Sequence, residues 1–145
     1  MSHRLTRRSF IQSAAAAGFG LPLIRTNAFA SENDQLHDGC VGVGGKGWSD
    51  MMETAKSPHV TIQAICDIDD SAKHLGRAAE QFPKATKYSD WRTLLDKEKL
   101  DALIVSTPDH MHAPVALSAI QRGLHVYCQK PLTHTVREAR VLSDA

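Results

Sequence analysis

An α/β fold, a parallel sheet doubly wound by helices on both faces, is what this sequence predicts, on two observations. Short apolar runs alternate with helix-period segments from about residue 38 onward, with brief connections. Strands that pair in parallel need such a crossover between them. One of those runs, Ala102–Ser106, is apolar almost throughout, as a strand covered on both faces must be.

The first strand is the poorest. Only Cys40, Val41 and Val43 are apolar, and Asp38 stands where a central strand would be hydrophobic. A glycine-rich turn, Gly42-Val43-Gly44-Gly45-Lys46-Gly47, follows, and then an apolar stripe of Trp48, Met51, Met52 and Ala55 at i, i+3, i+4, i+7 that predicts a helix. Val60–Cys66 is the second strand, with Asp67 at its end. Asp69 or Asp70 is placed to cap the next helix, whose apolar face is Ala72, Leu75, Ala79 and Phe82 and whose stop is Pro83. A short strand over Ala85–Tyr88 leads to a helix carrying Trp91, Leu94 and Leu95, both tryptophans being read as packing residues. Asp96–Lys99 is a charge run read as a solvated turn. Ala102–Ser106 is the fourth strand. A helix from about Pro114 to Arg122 comes next, with Pro114 near its first turn and Gly123 as a left-handed stop. His125–Cys128 is the fifth strand, and Thr135 with Glu138 forms a capping box for a last helix. A sixth strand is expected after that helix, so residues 38–145 read as a domain incomplete at its C-terminus, the front part of a longer protein.

The 145 residues leave room for about one domain. A net charge of +1 with 23% charged residues shows no basic excess that would attract nucleic acid. The three cysteines, Cys40, Cys66 and Cys128, are odd in number and form no C-x-x-C pair, so they read as free thiols inside strands.

Residues 1–30 read as an address. Arg7-Arg8 precedes Phe10 and a moderately apolar run, Ile11–Ile24, that holds four consecutive alanines, two glycines and Pro22. The run is too short and too weakly apolar for a stable membrane anchor. Ala28-Phe29-Ala30 supplies a small-x-small cleavage pattern. The segment resembles a twin-arginine signal cut after Ala30, which implies export of the folded protein to the periplasm. Residues 31–37 would then form a polar tether.

The glycine-rich turn carries the chemistry. Gly42 permits a tight turn out of a strand, and Gly44 lets backbone N–H groups approach a pyrophosphate. Gly47 lets the following helix lie against the sheet with its N-terminus toward the phosphates. Asp67 comes twenty residues after Gly47 at the end of the next strand, placed to accept a hydrogen bond from a ribose 2′-hydroxyl. Glycines of this spacing also occur in ordinary turns. Here a strand precedes them, a helix follows, and the acidic residue stands at the right distance.

After the fourth strand comes Thr107-Pro108-Asp109-His110-Met111-His112, and after the fifth Gln129-Lys130-Pro131-Leu132. Both lie at carboxyl ends of strands, where open α/β sheets hold ligands. His110 and His112 lack a third ligand nearby, so no metal site is read from them. Taken with the glycine loop, these motifs resemble the Gfo/Idh/MocA oxidoreductases, the family of glucose–fructose oxidoreductase and inositol 2-dehydrogenase, from about Cys40 to Ala145. The resemblance implies a Rossmann domain binding NAD, with NADP as the other choice. Gly42, Gly44, Gly45 and Gly47 would hold the pyrophosphate and Asp67 the adenosine ribose. Thr107, Pro108 and His112 would line the nicotinamide side. Lys130 matches the lysine of the family's glutamate-lysine-proline motif, which contacts cofactor and substrate near the transferred hydride. Gln129 departs from the pattern by replacing the glutamate.

Oxidising a secondary alcohol removes a hydroxyl proton as hydride leaves the carbon, and a lysine beside a cationic ring is suited to that proton transfer. The leading expectation is therefore hydride transfer between nicotinamide and a small-molecule sugar or cyclitol hydroxyl, by a homo-oligomer when full length. Two alternatives stay open. Some relatives use NAD in a transient oxidation that enables glycoside cleavage, although these often differ at the lysine motif. The chain alone would bind nucleotide without turning over a sugar, because the family's remaining catalytic groups come from a C-terminal domain.

Overall fold

The computed structural model describes residues 35–145. The twin-arginine segment, its cleavage point after Ala30 and most of the expected tether lie outside the described residues. Five strands, β1 (Leu36–Val41), β2 (Val60–Cys66), β3 (Thr86–Tyr88), β4 (Ala102–Val105) and β5 (His125–Cys128), pair in parallel in the order β3-β2-β1-β4-β5. Five helices alternate with them: α1 (Gly45–Thr54), α2 (Leu75–Gln81), α3 (Trp91–Lys97), α4 (Asp109–Ile120) and α5 (Val136–Asp144). This is the doubly wound class that the alternating pattern predicts, and the strand order reverses between β1 and β4.

The period-two alternation of the strands sorts their side chains into two cores. Cys40, Ile65 and Ile104 face Met51 of α1 and Leu75 and Ala78 of α2. Val41, Cys66, Leu103 and Val105 face Leu94 and Leu95 of α3 and Val115 of α4. Each fully buried side chain of Leu or Met size contributes about 1.5–3 kcal/mol, so both faces of the sheet hold their helices mainly by apolar burial. Cys40 and Cys66 lie buried in these cores as free thiols, and Cys128 is half-buried. Burial pushes the thiol of Cys66 up to about 12 and that of Cys128 up to about 11.

Several elements differ from expectation, each for a local reason. β1 starts at Leu36, inside the expected tether, because Leu36 and His37 pair with Val60 and Thr61 of β2, while the ladder to β4 begins at Asp38. Asp101 extends that pairing: its Oδ2 accepts from the His37 N–H at 2.8 Å, and its own N–H donates to the His37 carbonyl at 2.9 Å. α1 starts at Gly45, within the glycine loop, rather than after it. Neither Asp69 nor Asp70 caps α2, whose N-cap is His74 without a side-chain bond. Asp69 instead accepts from the Ser71 N–H at 2.9 Å, a local turn that competes with helix and leaves Ala72 exposed outside it. Glu98, expected in a solvated turn, accepts from the Tyr88 hydroxyl at 2.7 Å and from Gln63 Nε2 at 2.8 Å.

The largest shift is in α4. It begins at Asp109, with Pro108 as N-cap and Pro114 inside it. Proline there forfeits a bond to the His110 carbonyl, but Ala113, Val115, Ala116 and Ala119 are buried along the helix and hold it. Gly123 stops the chain with φ +79°, and Leu124 N–H donates back to the Ala119 carbonyl at 3.1 Å. The capping box of α5 forms as expected, with the Glu138 N–H donating to Thr135 Oγ1 at 3.2 Å and the Thr135 N–H donating to Glu138 Oε2 at 2.8 Å.

Asp38 remains the misfit of β1. It is 4% exposed and its Oδ1 has no hydrogen-bond partner. Burial first, and then the charge of Asp101, raise its carboxyl above the ordinary value, with His37 partly opposing. A carboxyl raised on folding favours the native state most below its unfolded pKa of about 3.9, and that contribution is lost as pH rises through the folded value. Asp38→Asn is expected to stabilise the domain by about 1 kcal/mol at neutral pH and to bring no gain near pH 4 or below. Urea unfolding midpoints of the two proteins across that range check it, and a gain independent of pH would exclude ionisation as the cause.

Candidate functional site

Parallel pairing sends every strand's carboxyl end to the same edge of the sheet. There the segments after β1, β2, β3 and β4 enclose an open cavity of about 800 Å³, of a size typical for small-molecule and cofactor sites. The glycine loop forms its floor. Gly42 has φ +81°, and a Cβ on it would strike the Ser106 backbone after β4. A Cβ on Gly47 would strike the Gly42 carbonyl, so Gly47 is the residue that lets α1 lie close on the turn. Gly44 is the N-cap of α1 and offers no side-chain cap. The first-turn N–H groups of a helix have no internal partners, so this uncapped end presents donors and a partial positive charge beside the cavity.

Asp67 ties β2 to that loop. Its Oδ2 accepts from the N–H groups of Val43 at 2.9 Å and Gly44 at 3.2 Å, and its Oδ1 accepts from the Asp69 N–H at 3.0 Å. A carboxylate has about four acceptor positions, which leaves Oδ1 capacity for one more donor, and its side chain remains 11% exposed. Asp67 is thus first a brace for the glycine loop and second a candidate ribose acceptor. His74 lies across Gly44, with Nδ1 3.6 Å from Asp67 Oδ2 and Nε2 3.7 Å from Asp69 Oδ2.

Of the residues singled out in the sequence, Gly42, Gly44, Gly45, Asp67, Thr107 and Pro108 share the cavity wall. Thr107 Oγ1 is buried without a protein partner, a hydroxyl suited to a ligand's polar group. Gly47 stands behind the wall, packed on Gly42. His112 does not reach the wall. It is 1% exposed, with Nδ1 2.6 Å from the Pro131 carbonyl and Nε2 2.7 Å from the Thr107 carbonyl. It therefore holds the loop after β4 to the loop after β5. Lys130 is exposed at the end of β5, beyond this cavity, and forms no ion pair among the described residues. The Lys130–Pro131 peptide is cis.

Sequence reasoning missed His74, Arg92 and Asp50. His74 follows a turn whose sequence reads as helix. Trp91 packs on the core as expected and also borders the cavity, with the Arg92 guanidinium 4.4 Å over its ring. Asp50 is 6% exposed on α1. Its Oδ1 meets Lys46 Nζ at 2.6 Å, and its Oδ2 accepts from Ser106 Oγ at 2.8 Å and from Gln129 Nε2 at 2.9 Å. Burial pushes the Asp50 carboxyl up, but the bonds from Lys46, Gln129 and Ser106 outweigh it and hold the group below its ordinary value. Its only sequence signal is one charge within an apolar stretch of helix.

The residues fit a dinucleotide. A cradle with no room for a Cβ at Gly42 or Gly47, an uncapped helix end, an acidic residue with spare acceptor capacity and an orphaned hydroxyl follow one another along the cavity. These features define a dinucleotide-binding α/β domain. The model of the oxidoreductase family with an NAD-binding Rossmann fold, Gfo/Idh/MocA, matches residues 36–145, and the chain belongs to that family. A Glycosyl hydrolase family 109 protein of Shewanella baltica is 30% identical over 98% of this chain, which spans 37% of that relative's length. Among solved structures, myo-inositol 2-dehydrogenase from Lactobacillus plantarum is similar with a TM-score of 0.68 and 25% identity, over 76% of this chain and 33% of that one. The WlbA dehydrogenase from Bordetella pertussis, solved with NADH and UDP-GlcNAcA, is similar with a TM-score of 0.70 and 25% identity, over 77% of this chain and 33% of that one.

Proposed function

We propose that this chain is the NAD-binding part of an oxidoreductase that moves a hydride between nicotinamide and a hydroxyl-bearing carbon of a sugar or cyclitol. The observation that carries this reading is the chain of contacts from the residue before Lys130 to the glycine cradle. Gly42 abuts the Ser106 backbone, and Ser106 and Gln129 both bond Asp50 Oδ2, so the residue before Lys130 is one carboxylate away from the loop that would hold the phosphates. In this reading NAD, when bound, supplies the hydride acceptor. The Gly45 end of α1 holds its pyrophosphate, Asp67 accepts from its ribose, and Lys130 takes or orients the substrate's hydroxyl proton. The myo-inositol and UDP-sugar enzymes among its structural relatives support a polyol or sugar as the substrate class.

A second reading has its own support, because the Shewanella baltica relative is named a glycosyl hydrolase family 109 protein. Both readings begin with oxidation of a sugar carbon and differ in whether reduced cofactor accumulates. Incubating the enzyme that contains this chain with NAD and a panel of sugars, cyclitols and p-nitrophenyl glycosides separates them. Stoichiometric NADH is expected. Release of p-nitrophenol at catalytic NAD with no NADH would favour the hydrolase and overturn the first reading.

Lys130→Ala is expected to lower kcat by about 10²-fold or more, with little change in NAD affinity, as befits a group acting on the proton. Near-normal kcat would remove the lysine from the mechanism. For the cofactor, Asp67 and Asp69 put two carboxylates on the cavity wall after β2, while Asp90 is paired with Arg92; a 2′-phosphate beside Asp67 would meet carboxylates, which supports NAD over NADP. Calorimetry should find tighter NAD binding in the wild type and a smaller preference in Asp67→Ala. An unchanged preference would assign the discrimination elsewhere.

Arg7-Arg8 and Ala28-Phe29-Ala30 support export to the periplasm by the twin-arginine route. Residues 1–35 fused to a reporter that fluoresces only when exported folded should deliver it. Replacing both arginines by lysine should stop delivery, and export that survives the change would refute the assignment.

A further inference from the structure

The departure from the family motif at Gln129 has a partner in the structure. Asp50 is buried on α1, where its Oδ2 takes hydrogen bonds from Ser106 Oγ and Gln129 Nε2. The other end of the same amide, Gln129 Oε1, accepts from the Lys130 N–H at 2.9 Å. The two ends have fixed duties. Asp50 is a carboxylate and only accepts, so the Gln129 NH₂ must face it, which turns the carbonyl oxygen toward Lys130. His112 meanwhile holds the next residue by the Pro131 carbonyl. Lys130 is therefore gripped on both sides, by Gln129 through its own N–H and by His112 one residue on.

The geometry points to Asp50 and Gln129 as a charge-matched pair in which Gln129 acts as a positioning residue for Lys130, so that an amide at 129 is required by the carboxylate at 50. This rests on the role of Lys130 given above. A glutamate at 129 would keep an acceptor for the Lys130 N–H but would turn a second carboxylate onto Asp50 at hydrogen-bond distance. Two carboxylates so close cannot both ionise freely, and one holds its proton to higher pH. The other charged or titratable groups near the pair are Lys46, bonded to Asp50, with Glu53 on the same helix and Tyr127 on β5 acting on Lys46. Lys46 supplies one positive charge, already engaged by Asp50, and offsets only one of the two.

The test compares wild type, Gln129→Glu, Gln129→Met and the swap Asp50→Asn/Gln129→Glu, which restores one donor, one carboxylate and the original net charge. Thermal midpoints of the full chain are read from about pH 5 to about pH 8, a span across which the crowded carboxyl gives up its proton. Gln129→Glu is expected to match wild type at the acidic end and fall below it as pH rises. Gln129→Met should be lower by the same amount at every pH, and the swap should track wild type. In the enzyme containing this chain, kcat of Gln129→Glu on the sugar or cyclitol turned over by wild type should fall about tenfold toward the alkaline end, within the range of coupling between contacting residues. NAD affinity should hold, and the swap should restore kcat. A Gln129→Glu midpoint that parallels wild type at all pH, or a swap no better than the single variant, overturns the pairing. A wild type that oxidises no sugar or cyclitol sinks the functional reading instead, while the thermal comparison still decides the pair.

Discussion

Everything at the carboxyl edge of this sheet depends on how closely the backbone after β1 meets its neighbours. The chain leaves the central strand at Gly42 with a positive φ, passes against the Ser106 backbone, and enters α1 with Gly47 pressed on the Gly42 carbonyl. No side chain fits at either glycine. That one approach aims the uncapped end of α1 at the cavity and brings Asp50, a turn further on, under the ends of β4 and β5. It also sets the N–H groups of Val43 and Gly44 within reach of Asp67 at the end of β2. A methyl group at Gly47 would separate helix from sheet and undo these contacts together.

Around that point the loops are fastened by polar side chains of unusually low exposure. Asp67 joins the β2 end to the β1 loop, Asp50 joins α1 to the ends of β4 and β5, and His112 joins the loops after β4 and β5. Buried polar groups are costly unless bonded; Asp67 and Asp50 accept on both oxygens, and each ring nitrogen of His112 lies within hydrogen-bond distance of a carbonyl. Asp38, at the opposite end of β1, is the contrast. It is as buried as they are but has an unpartnered oxygen. The difference follows from the fold: the carboxyl edge offers loop N–H groups and side chains from several elements, whereas Asp38 lies within a central strand whose neighbours spend their backbone groups on each other.

The parts of the molecule that were legible in the sequence are those set by local rules. Alternation of strand and helix patterns gave the parallel sheet, and the glycine spacing with Asp67 located the cradle, because each depends on residues close together in the chain. The capping box at Thr135 and the stop at Gly123 are equally local. Errors arose where tertiary packing outbid local signals. Pro114 reads as a helix start, but the buried stripe from Ala113 to Ala119 carries α4 through it. Asp69 reads as a cap and instead closes a turn with Ser71. β1 reads as weak and short, yet pairing with β2 extends it to Leu36.

The same distinction explains the site. Lys130 and His112 were both legible as motif members, but their duties differ in a way that no motif displays. His112 is locked between two carbonyls and has no ring nitrogen to spare for a ligand, so its contribution to a nucleotide site is to hold Thr107 in place. Lys130 has an exposed side chain with no ion-pair partner among the described residues, while its backbone is fixed through Gln129. An exposed amine on an anchored base suits the role proposed for Lys130, since the chain pins where the side chain starts and leaves its amine end free to reach a substrate hydroxyl. Asp50 escaped notice because its significance lies in what surrounds it. A carboxylate one position from a buried methionine looks like the edge of a solvated face until Ser106 and Gln129, distant in sequence, close over it.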